Sequence, residues 1–322
     1  MKNHAIFLLA PLSRSGLIFA NHFIKNNHNV IAAIDDRSSS DEIFSVPRWT
    51  SNNFLEKAKD YPSAIAIDFS SRSSTKRWAT ELCNRVGIER VAFYTAIANC
   101  KLAPYAPITP VANYSPWLED TDFQFVFQEI ADSTLVDHLR LWELWTLLEQ
   151  TRYIPGDILE IGVWRGGTGA LMAWKLQQQK QQSNIYLCDT FTGVVKAGAF
   201  DSCYTGGEHA DTSRGHVENL LSRLTPSQNN IHILEGIFPE ETGEIVKDNN
   251  FRLVHIDVDT YQSAQDILDF IWPKVSPGGI VVYDDYGFDC CSGITKHVND
   301  LKNRQDMTIV HNLNGHALLI KR

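Results

Sequence analysis

Short apolar runs alternate with stretches of helical periodicity from residue 155 to the end of the chain. Because such runs are bounded by polar turns, they predict buried strands. The strands are predicted at Ile158–Ile161, Ile185–Cys188, Ile231–Leu234, Leu253–Val258, Ile280–Tyr283, Met307–Val310 and Ala317–Ile320. Helices are predicted at Thr134–Gln150, Thr168–Gln178, Ala264–Val275 and Ile294–Leu301. Asn312–Gly315 has the residue types of a hairpin turn, so the pattern predicts a parallel α/β sheet that ends in an antiparallel hairpin.

The first hundred residues show a smaller version of the same alternation. Strands are predicted at Ala5–Ala10, Val30–Ile34 and Ala64–Asp68, with helices from Leu17 and over Lys76–Val86. This alternation favours a small Rossmann-like parallel sheet. The turn Pro11–Gly16 has one glycine, whereas a dinucleotide site needs several to admit the pyrophosphate. We therefore predict a structural or substrate-orienting domain, which loosely resembles the N-terminal domain of bacterial sugar acetyltransferases.

A proline-rich stretch separates the two patterns. Its prolines are Pro104, Pro107, Pro110 and Pro116, and the stretch has no hydrophobic periodicity. Proline restricts its own φ and the conformation of the residue before it. We therefore predict a semi-rigid linker over residues 101–116, between a Rossmann-like α/β domain at 1–100 and a second domain at 117–322.

Composition and charge exclude several classes of protein. Of the 322 residues, 43% are hydrophobic and 21% are charged, which is ordinary for a globular protein and excludes disorder along the whole chain. A net charge of −9 without a lysine and arginine cluster argues against nucleic-acid or membrane partners. No apolar run reaches the ~18–20 residues of a membrane helix, and the run after Lys2 is too short for a secretory signal. The six cysteines form no CxxC pair, so we expect a cytoplasmic protein with reduced thiols.

A glycine-rich turn follows the strand Ile158–Ile161. Its spacing, E-x-G-x-x-x-G-G over Glu160–Gly167, differs from the dinucleotide fingerprint. S-adenosylmethionine has no phosphates and needs no tight anion cradle, and a carboxylate such as Glu160 suits its sulfonium. Asp189, at the end of the next strand, is placed to accept both ribose hydroxyls. NAD enzymes use an acidic residue in the same way, and a structural turn or an exposed strand-end aspartate remains an alternative.

Two further strands are predicted to end in paired aspartates. Asp257 and Asp259 follow one strand, and Asp284 and Asp285 follow the next. Two unit charges ~4 Å apart repel by ~4 kcal/mol at an effective dielectric constant of about 20. Four carboxylates at one sheet edge therefore require protonation, separation or a cation. Oxygen ligands favour Mg²⁺ first, then Ca²⁺ or Mn²⁺; the alternative is that two of these aspartates cap loops or helices.

Five motifs, in order, resemble the signature of the macrocin O-methyltransferase family. They are Gly156–Gly167, Asp189–Gly193, Asp257–Ser263, Pro273–Gly279 and Asp284–Gly287. The resemblance covers about residues 135–322. It implies a class I S-adenosylmethionine methyltransferase fold, S-adenosylmethionine and Mg²⁺ as cofactors, and a natural-product deoxysugar hydroxyl as the methyl acceptor.

The resemblance also implies roles for individual residues. Carried over by position, it makes Asp257, Asp284 and Asp285 metal ligands and leaves Asp259 as the general base. The residues predicted to bind the cofactor are Glu160, Gly162, Val163, Trp164, Arg165, Gly166, Asp189, Thr190, Gly236, Phe238 and Asp257.

Two departures from the family bear on the substrate. Val258 stands where the family usually has glycine, and the segment Val194–His216, which resembles a substrate-covering insert, differs in sequence. We expect His209 and His216 in this segment to belong to a solvated polar loop. His255 lies inside a predicted buried strand, where we expect a hydrogen-bonded core histidine.

The sequence therefore predicts a Mg²⁺-dependent O-methyltransferase that acts on a small hydroxylated acceptor. The first choice is a sugar hydroxyl, and the second is a polyketide-like or catechol-like hydroxyl. Two other hypotheses remain: a non-catalytic or divergent pathway protein that keeps the fold, and an NAD(P)-dependent oxidoreductase, whose glycine fingerprint is missing. The resemblance also implies a homo-oligomer.

Overall fold

A computed structural model of the chain describes residues 5–9, 29–36, 41–43, 46–69, 73–92, 114–226 and 230–322. The chain divides into two compact units, Met1–Tyr114 and Ser115–Arg322. The predicted loop Pro11–Gly16, the helix from Leu17 and residues 101–113 of the linker lie outside the described residues. The linker and the roles of the two domains therefore stay predictions.

The N-terminal unit is built on a mostly parallel sheet of short strands. Its described elements are β1 (Ile6–Leu9), β2 (Val30–Ile34), β3 (Glu42–Ile43), β4 (Val46–Trp49), α1 (Ser51–Lys57), β5 (Ile65–Asp68), α2 (Ser73–Val86) and β6 (Glu89–Ala92). The strand order is β3-β4-β2-β1-β5-β6, and β3 alone runs antiparallel to its described neighbour. Phe7 anchors the core, where its ring meets Trp49, Phe54 and Tyr61. The predicted parallel sheet is confirmed, while the short β3, β4, α1 and β6 carry too little periodicity to be predicted.

The C-terminal unit contains a seven-stranded sheet with helices on both faces. Its described elements are α3 (Thr121–Glu129), α4 (His138–Gln150), β7 (Asp157–Ile161), α5 (Gly167–Gln178), β8 (Ile185–Asp189), α6 (Arg214–Leu224), β9 (Ile231–Glu235), β10 (Phe251–Ile256), α7 (Tyr261–Ile271), β11 (Val275–Tyr283), α8 (Ser292–Asp300), β12 (Met307–His311) and β13 (Ala317–Lys321). The strand order is β12-β13-β11-β10-β7-β8-β9. Strands β7 to β11 are parallel, and β12 and β13 form an antiparallel hairpin beside β11, as predicted.

The central strands of the C-terminal sheet are buried on both faces, which is why they are continuous apolar runs. All six residues of β10 are buried. Leu253 packs in the core under α4, α5 and α6, and the next residue, Val254, packs in the core under α7 and α8. The two cores are thus supplied by alternate residues of the same strands.

Helix α4 begins later than predicted for a local reason. The prediction placed its start at Thr134, whereas the helix starts at His138. Asp137 is the N-cap, and its carboxylate accepts hydrogen bonds from the backbone N–H groups of Leu139 at 2.9 Å and Arg140 at 3.2 Å. A side-chain oxygen that satisfies these free donors stabilises the start of a helix.

Two predicted boundaries near the sheet edge are also wrong. Helix α7 ends at Ile271 rather than continuing to residue 275, because Pro273 has no N–H to donate within a helix. Strand β10 ends at Ile256, so Asp257 and Val258 lie in the loop beyond it. Helices α3 and α6 were not predicted.

Two global expectations can be compared with the described part of the chain. No described helix combines the length and apolarity needed to cross a membrane. The described cysteines are free thiols; they are Cys83, Cys188, Cys203, Cys290 and Cys291. Cys100 lies outside the described residues.

Candidate active site

The parallel strands of the C-terminal unit bring the predicted site residues to one sheet edge. Strands β8, β7, β10 and β11 are consecutive neighbours in the sheet, so their carboxyl ends lie side by side. Ligands bind at this edge in open α/β sheets. The loops after these strands carry the glycine-rich turn, Asp189 and the two aspartate pairs.

The glycine-rich turn between β7 and α5 needs glycine at its first position. Gly162 has φ +89°, and a Cβ there would lie 1.7 Å from the backbone oxygen of Asp257. Gly166 has φ +87° and is the N-cap of α5. Trp164 adopts a left-handed φ of 48° without being glycine. The chain thus brings the turn into direct contact with the loop that follows β10.

Asp189 holds this turn closed. Its Oδ2 accepts hydrogen bonds from the backbone N–H groups of Val163 at 2.7 Å and Trp164 at 2.8 Å, and its Oδ1 accepts one from Phe191 at 2.7 Å. A carboxylate has about four lone-pair positions. These contacts occupy about three of those positions, and the role of Asp189 toward the ribose hydroxyls stays a prediction.

Glu160 points into the core beneath the turn. It is fully buried, and its Oε1 lies 3.0 Å from Nδ1 of His255. Its Oε2 has no hydrogen-bond partner. His255 is itself fully buried and hydrogen-bonded, which confirms the expectation of a satisfied core histidine. The assignment of Glu160 to the cofactor stays a prediction, since its contact in the structure is with His255.

Trp164 and Arg165 bind the segment that follows β8. We call residues 194–213 the cover segment. The indole N–H of Trp164 donates to Oδ1 of Asp211 at 3.0 Å, and Arg165 pairs with Oδ2 of the same residue at 2.9 Å. The Arg165 guanidinium also stacks 4.6 Å from the Trp164 ring. One end of the cover segment is therefore attached to the glycine-rich turn.

The other end of the cover segment is attached to helix α7. Thr260 donates its hydroxyl to the backbone oxygen of Val195 at 3.0 Å. Asp201, which is buried, accepts a hydrogen bond from the backbone N–H of Tyr261 at 2.9 Å. Lys196 pairs with Asp266 at 2.7 Å. The segment therefore spans from the turn to the start of α7, beside the loop that carries Asp257 and Asp259.

Three other predicted cofactor residues lie along the same edge. The hydroxyl of Thr190 donates to the backbone oxygen of Gly193 at 3.1 Å. Gly236, with φ +142°, donates its N–H to the backbone oxygen of Asp189 at 2.9 Å. Phe238 is buried, and its ring packs edge-on against Phe270. Thr190 and Gly236 thus lie next to Asp189, while Phe238 belongs to the hydrophobic core.

The aspartates converge as predicted. One oxygen from each of Asp257, Asp284 and Asp285 lies within 4.8 Å of the others. Burial, followed by the charges of Asp284 and Asp285, raises the pKa of Asp257 well above its ordinary value. Burial and the charges of Asp259 and Asp284 likewise raise the pKa of Asp285 well above its usual range. Such closely spaced oxygens, whose ionised forms repel one another, fit a hard divalent cation.

Asp284 differs from its neighbours because it is surrounded by cations and donors. Although burial opposes ionisation, Arg140 and hydrogen bonds from His255 and His316 hold the pKa of Asp284 well below its ordinary value. Its Oδ2 pairs with Arg140, and its Oδ1 lies 2.8 Å from Nε2 of His316. Asp284 is thus the member of the group whose charge is best compensated by its surroundings.

Asp259 lies beside the group formed by Asp257, Asp284 and Asp285, and its backbone is left-handed. Its φ is 65°, and its N–H donates to Oδ2 of Asp285 at 3.1 Å. The thiol of Cys291 donates to Oδ1 of Asp259 at 3.6 Å, and Tyr204 from the cover segment also hydrogen-bonds to its carboxylate. Burial raises the pKa of Asp259, which favours its acting as a proton acceptor. Asp259, Asp285 and Cys291 also form a second close group of ligand atoms.

Two residues around Asp284 were not predicted from the sequence. Arg140 is a charged residue inside the apolar stripe of α4, where it is buried, and this break in the pattern was a usable signal. His316 precedes β13 and is fully buried, but its place in the hairpin connection gave no indication of this. His209 is half-buried near the ring of Tyr204, and His216 is exposed on α6.

The parallel sheet, its terminal antiparallel hairpin and the turn at the carboxyl edge define a class I S-adenosylmethionine methyltransferase fold. The sequence model of the macrocin-O-methyltransferase (TylF) family matches residues 129–315. This is more than half of the chain, and the chain therefore belongs to that family.

Characterised relatives match part of the chain. It is 30% identical over 146 residues to 8-demethyl-8-(2,3-dimethoxy-alpha-L-rhamnosyl)-tetracenomycin-C 4'-O-methyltransferase from Streptomyces olivaceus, covering 43% of this chain and 56% of that protein. It is 29% identical over 152 residues to mycinamicin III 3''-O-methyltransferase from Micromonospora griseorubida, covering 43% and 58%. The match thus spans little more than half the length of these curated relatives.

Two solved structures share the fold. The O-methyltransferase NovP aligns with a TM-score of 0.52 at 22% identity, over 62% of this chain and 88% of NovP. The calicheamicin methyltransferase CalS11 aligns with a TM-score of 0.50 at 19% identity, over 65% and 94%. At these identities the alignments show the fold alone.

Proposed function

We propose that this protein is an S-adenosylmethionine-dependent O-methyltransferase that uses Mg²⁺ and acts on a sugar hydroxyl of a natural product. One observation carries the proposal: the oxygens of Asp257, Asp284 and Asp285 converge within 4.8 Å beside a glycine-rich turn at the carboxyl edge of the sheet. Family membership supports the same chemistry. The first two relatives are named for 4' and 3'' O-methylation, and we extend the sugar acceptor to this chain by analogy.

The turn and Asp189 are the proposed cofactor site. S-adenosylmethionine would supply a methyl group already activated by its sulfonium. Residues Gly162 to Gly166 would line the cofactor, since glycine at the turn lets the backbone approach a ligand closely. Asp189 would accept one ribose hydroxyl with its remaining capacity, and Gly236 and Thr190 would border that position. Trp164 and Arg165 would bind the cofactor while bonded to the cover segment.

Asp257, Asp284 and Asp285 are the proposed metal ligands. A divalent cation bound there would stabilise negative charge on an acceptor oxygen. The residues fit such an ion because burial and the charges of neighbouring carboxylates raise the pKa of two of the three carboxyls. A cation would offset that repulsion.

Asp259 is the proposed general base. An aliphatic hydroxyl is a weak nucleophile at neutral pH, so a carboxylate within hydrogen-bond reach must accept its proton as the methyl group is transferred. Cys291 and Tyr204 donate hydrogen bonds to Asp259 and restrict where its oxygens lie. The cover segment that contributes Tyr204 would also exclude water from the reacting groups.

Calorimetric titration tests the cofactor class directly. We expect S-adenosylhomocysteine to bind with micromolar affinity with or without Mg²⁺, and NADH not to bind. Asp189→Asn should weaken S-adenosylhomocysteine binding by about tenfold or more, since it removes a charged hydrogen-bond acceptor. The matched control is Asp36→Asn, an exposed strand-end aspartate of the other unit, which should bind as the wild type does. Absence of S-adenosylhomocysteine binding in both metal conditions would contradict the proposal and favour the non-catalytic hypothesis.

A further inference from the structure

A chain of buried polar contacts passes through Asp284. It runs from Glu160 through His255 to Asp284, and on through His316 to Glu143. The distances are 3.0 Å for Glu160 Oε1 to His255 Nδ1, 3.4 Å for His255 Nε2 to Asp284 Oδ1, 2.8 Å for Asp284 Oδ1 to His316 Nε2, and 2.6 Å for His316 Nδ1 to Glu143 Oε2. We call these five residues with Arg140 the Asp284 network.

The network joins elements that are distant in sequence. Arg140 and Glu143 come from α4, His255 from β10, and His316 from the residue before β13. Both histidines have no exposed surface, and Asp284 is 2% exposed. The Arg140 guanidinium is itself held in place, because its Nε donates a hydrogen bond to Oδ2 of Asp137 at 2.8 Å. A single carboxylate is therefore held by three separate parts of the fold.

These contacts determine how Asp284 can bind a cation. Arg140 occupies one lone-pair position on Oδ2. The Nε2 atoms of His255 and His316 lie 3.4 Å and 2.8 Å from Oδ1, and with both protonated they fill its two positions. About one position on Oδ2 is left. Asp257 and Asp285, by contrast, form no ion pair with lysine or arginine in the described part of the chain.

We propose that Arg140, His255 and His316 are positioning residues that fix the orientation of Asp284 and limit it to one metal–oxygen bond. The inference rests on the proposed function, because it assumes that Asp284 is a ligand. Carboxylates on the far nitrogens of both histidines hold the rings in place, which is how outer partners orient the ligands of metal sites. Disturbing the network should therefore lower metal affinity without a change in the ligands themselves.

The same atoms suggest a competing arrangement. One nitrogen from each of His255 and His316 and one oxygen of Asp284 form a close group that could themselves hold a transition metal. The experiment separates the two arrangements.

The experiment measures Mn²⁺ affinity by electron paramagnetic resonance on the full chain, with S-adenosylhomocysteine binding measured in parallel. His316→Asn keeps an amide near Glu143 but cannot reach Asp284, whereas His316→Gln can place its amide nitrogen where Nε2 lies. We expect His316→Asn to weaken Mn²⁺ binding about 10- to 100-fold and His316→Gln to restore most of the loss. Binding of S-adenosylhomocysteine should stay unchanged in both variants.

His297→Asn is the matched control, because His297 is a buried histidine of the same unit whose ring bonds to Tyr283 instead. It should leave Mn²⁺ affinity unchanged. If His316→Asn does not fold, Arg140→Lys provides the second measurement, since it keeps the charge but loses the planar fork. It should also weaken Mn²⁺ binding.

Three outcomes would overturn the inference. The first is wild-type Mn²⁺ affinity in the folded His316→Asn and Arg140→Lys variants. The second is a tightly bound transition metal in the purified wild type that His316→Asn loses, which would make the histidines ligands. The third is a wild type that binds S-adenosylhomocysteine but no Mn²⁺, which would also contradict the metal part of the proposed function.

Discussion

Parallel strands in both sheets of this protein end in aspartates, but the surroundings of these carboxylates differ between the two sheets. In the N-terminal unit, Asp68 at the end of β5 pairs with Arg90 at 2.6 Å, and Asp36 after β2 accepts the N–H of Ser51 at 2.7 Å. In the C-terminal unit, Asp257 and Asp285 form no ion pair with lysine or arginine among the described residues. Burial and the charges of neighbouring aspartates raise their pKa values. A strand-end aspartate is common, whereas three whose oxygens converge within 4.8 Å of one another indicate a ligand.

The largest expected effect comes from Asp259. Asp259→Asn should lower turnover about 10²- to 10⁴-fold, which is the usual contribution of a general base. Its affinity for Mg²⁺ should change far less, since its backbone N–H still bonds to Asp285. Turnover would be measured with the acceptor that the wild type uses, and metal affinity by titration.

Asp36→Asn in the other sheet is the control for this change. Asp36 is exposed and bonds only locally to Ser51 in the described contacts, so both turnover and metal affinity should match the wild type. A large loss of metal from Asp259→Asn would make Asp259 a ligand, and the base would then be sought at His209, His216 or water. A change in metal affinity in Asp36→Asn would contradict the difference between the two sheets.

The acid sensitivity of the C-terminal unit tests a buried histidine, His297, that lies outside the proposed site. Burial lowers the pKa of His297 from 6.5 to about 4, and its Nε2 lies 2.9 Å from the hydroxyl of Tyr283. The unfolded chain therefore binds this proton at a higher pH than the folded chain does. Its contribution to stability is complete above pH about 6.5 and is lost as the pH falls through about 4, a change of about 3 kcal/mol.

Chemical denaturation at pH 7 and pH 4 measures this loss. His297→Gln keeps an acceptor near Tyr283 without the titration, so its free energy of unfolding should fall by about 3 kcal/mol less than that of the wild type over this range. His216→Gln, at an exposed position on α6, is the control and should behave as the wild type does. Equal losses in His297→Gln and the wild type would show that other groups carry the acid sensitivity.

Hydrophobic patterning predicted the C-terminal sheet well because its central strands are buried on both faces. An apolar run such as β10 then stands out from its polar boundaries. The short β3 and the amphipathic α3 carried weaker patterns and were missed. Helix ends were less predictable, since caps such as Asp137 depend on which backbone N–H a side chain meets.

The site was predictable only where the chain topology defines it. Parallel neighbours bring strand ends together, so the convergence of Asp257, Asp284 and Asp285 followed from strand order. The contacts of Arg140 and His316 with Asp284 did not, because they join segments 144 and 32 residues apart. Pairwise contacts over such separations depend on packing, which a single sequence does not reveal.

The mildest test compares one aspartate from each sheet after the metal is removed. In EDTA, Asp285→Asn should raise the stability of the C-terminal unit, because burial and the charges of Asp259 and Asp284 disfavour the ionised carboxyl. Asp68→Asn should instead lower the stability of the N-terminal unit by about 1 kcal/mol, since it weakens a pair whose Arg90 side chain is 33% exposed and partly screened.

Native-state hydrogen exchange reports the two units separately in the full chain, through the amides of β11 and β5. Opposite signs for the two variants would support the view that only the C-terminal aspartates are held at a cost to stability. Adding Mg²⁺ should then stabilise the wild type more than Asp285→Asn, because a ligand that binds the folded state stabilises it more, at a given concentration, the tighter it binds. A loss of stability in both variants, unaffected by Mg²⁺, would mean that Asp285 is structural and that the two sheet edges do not differ in the way proposed here.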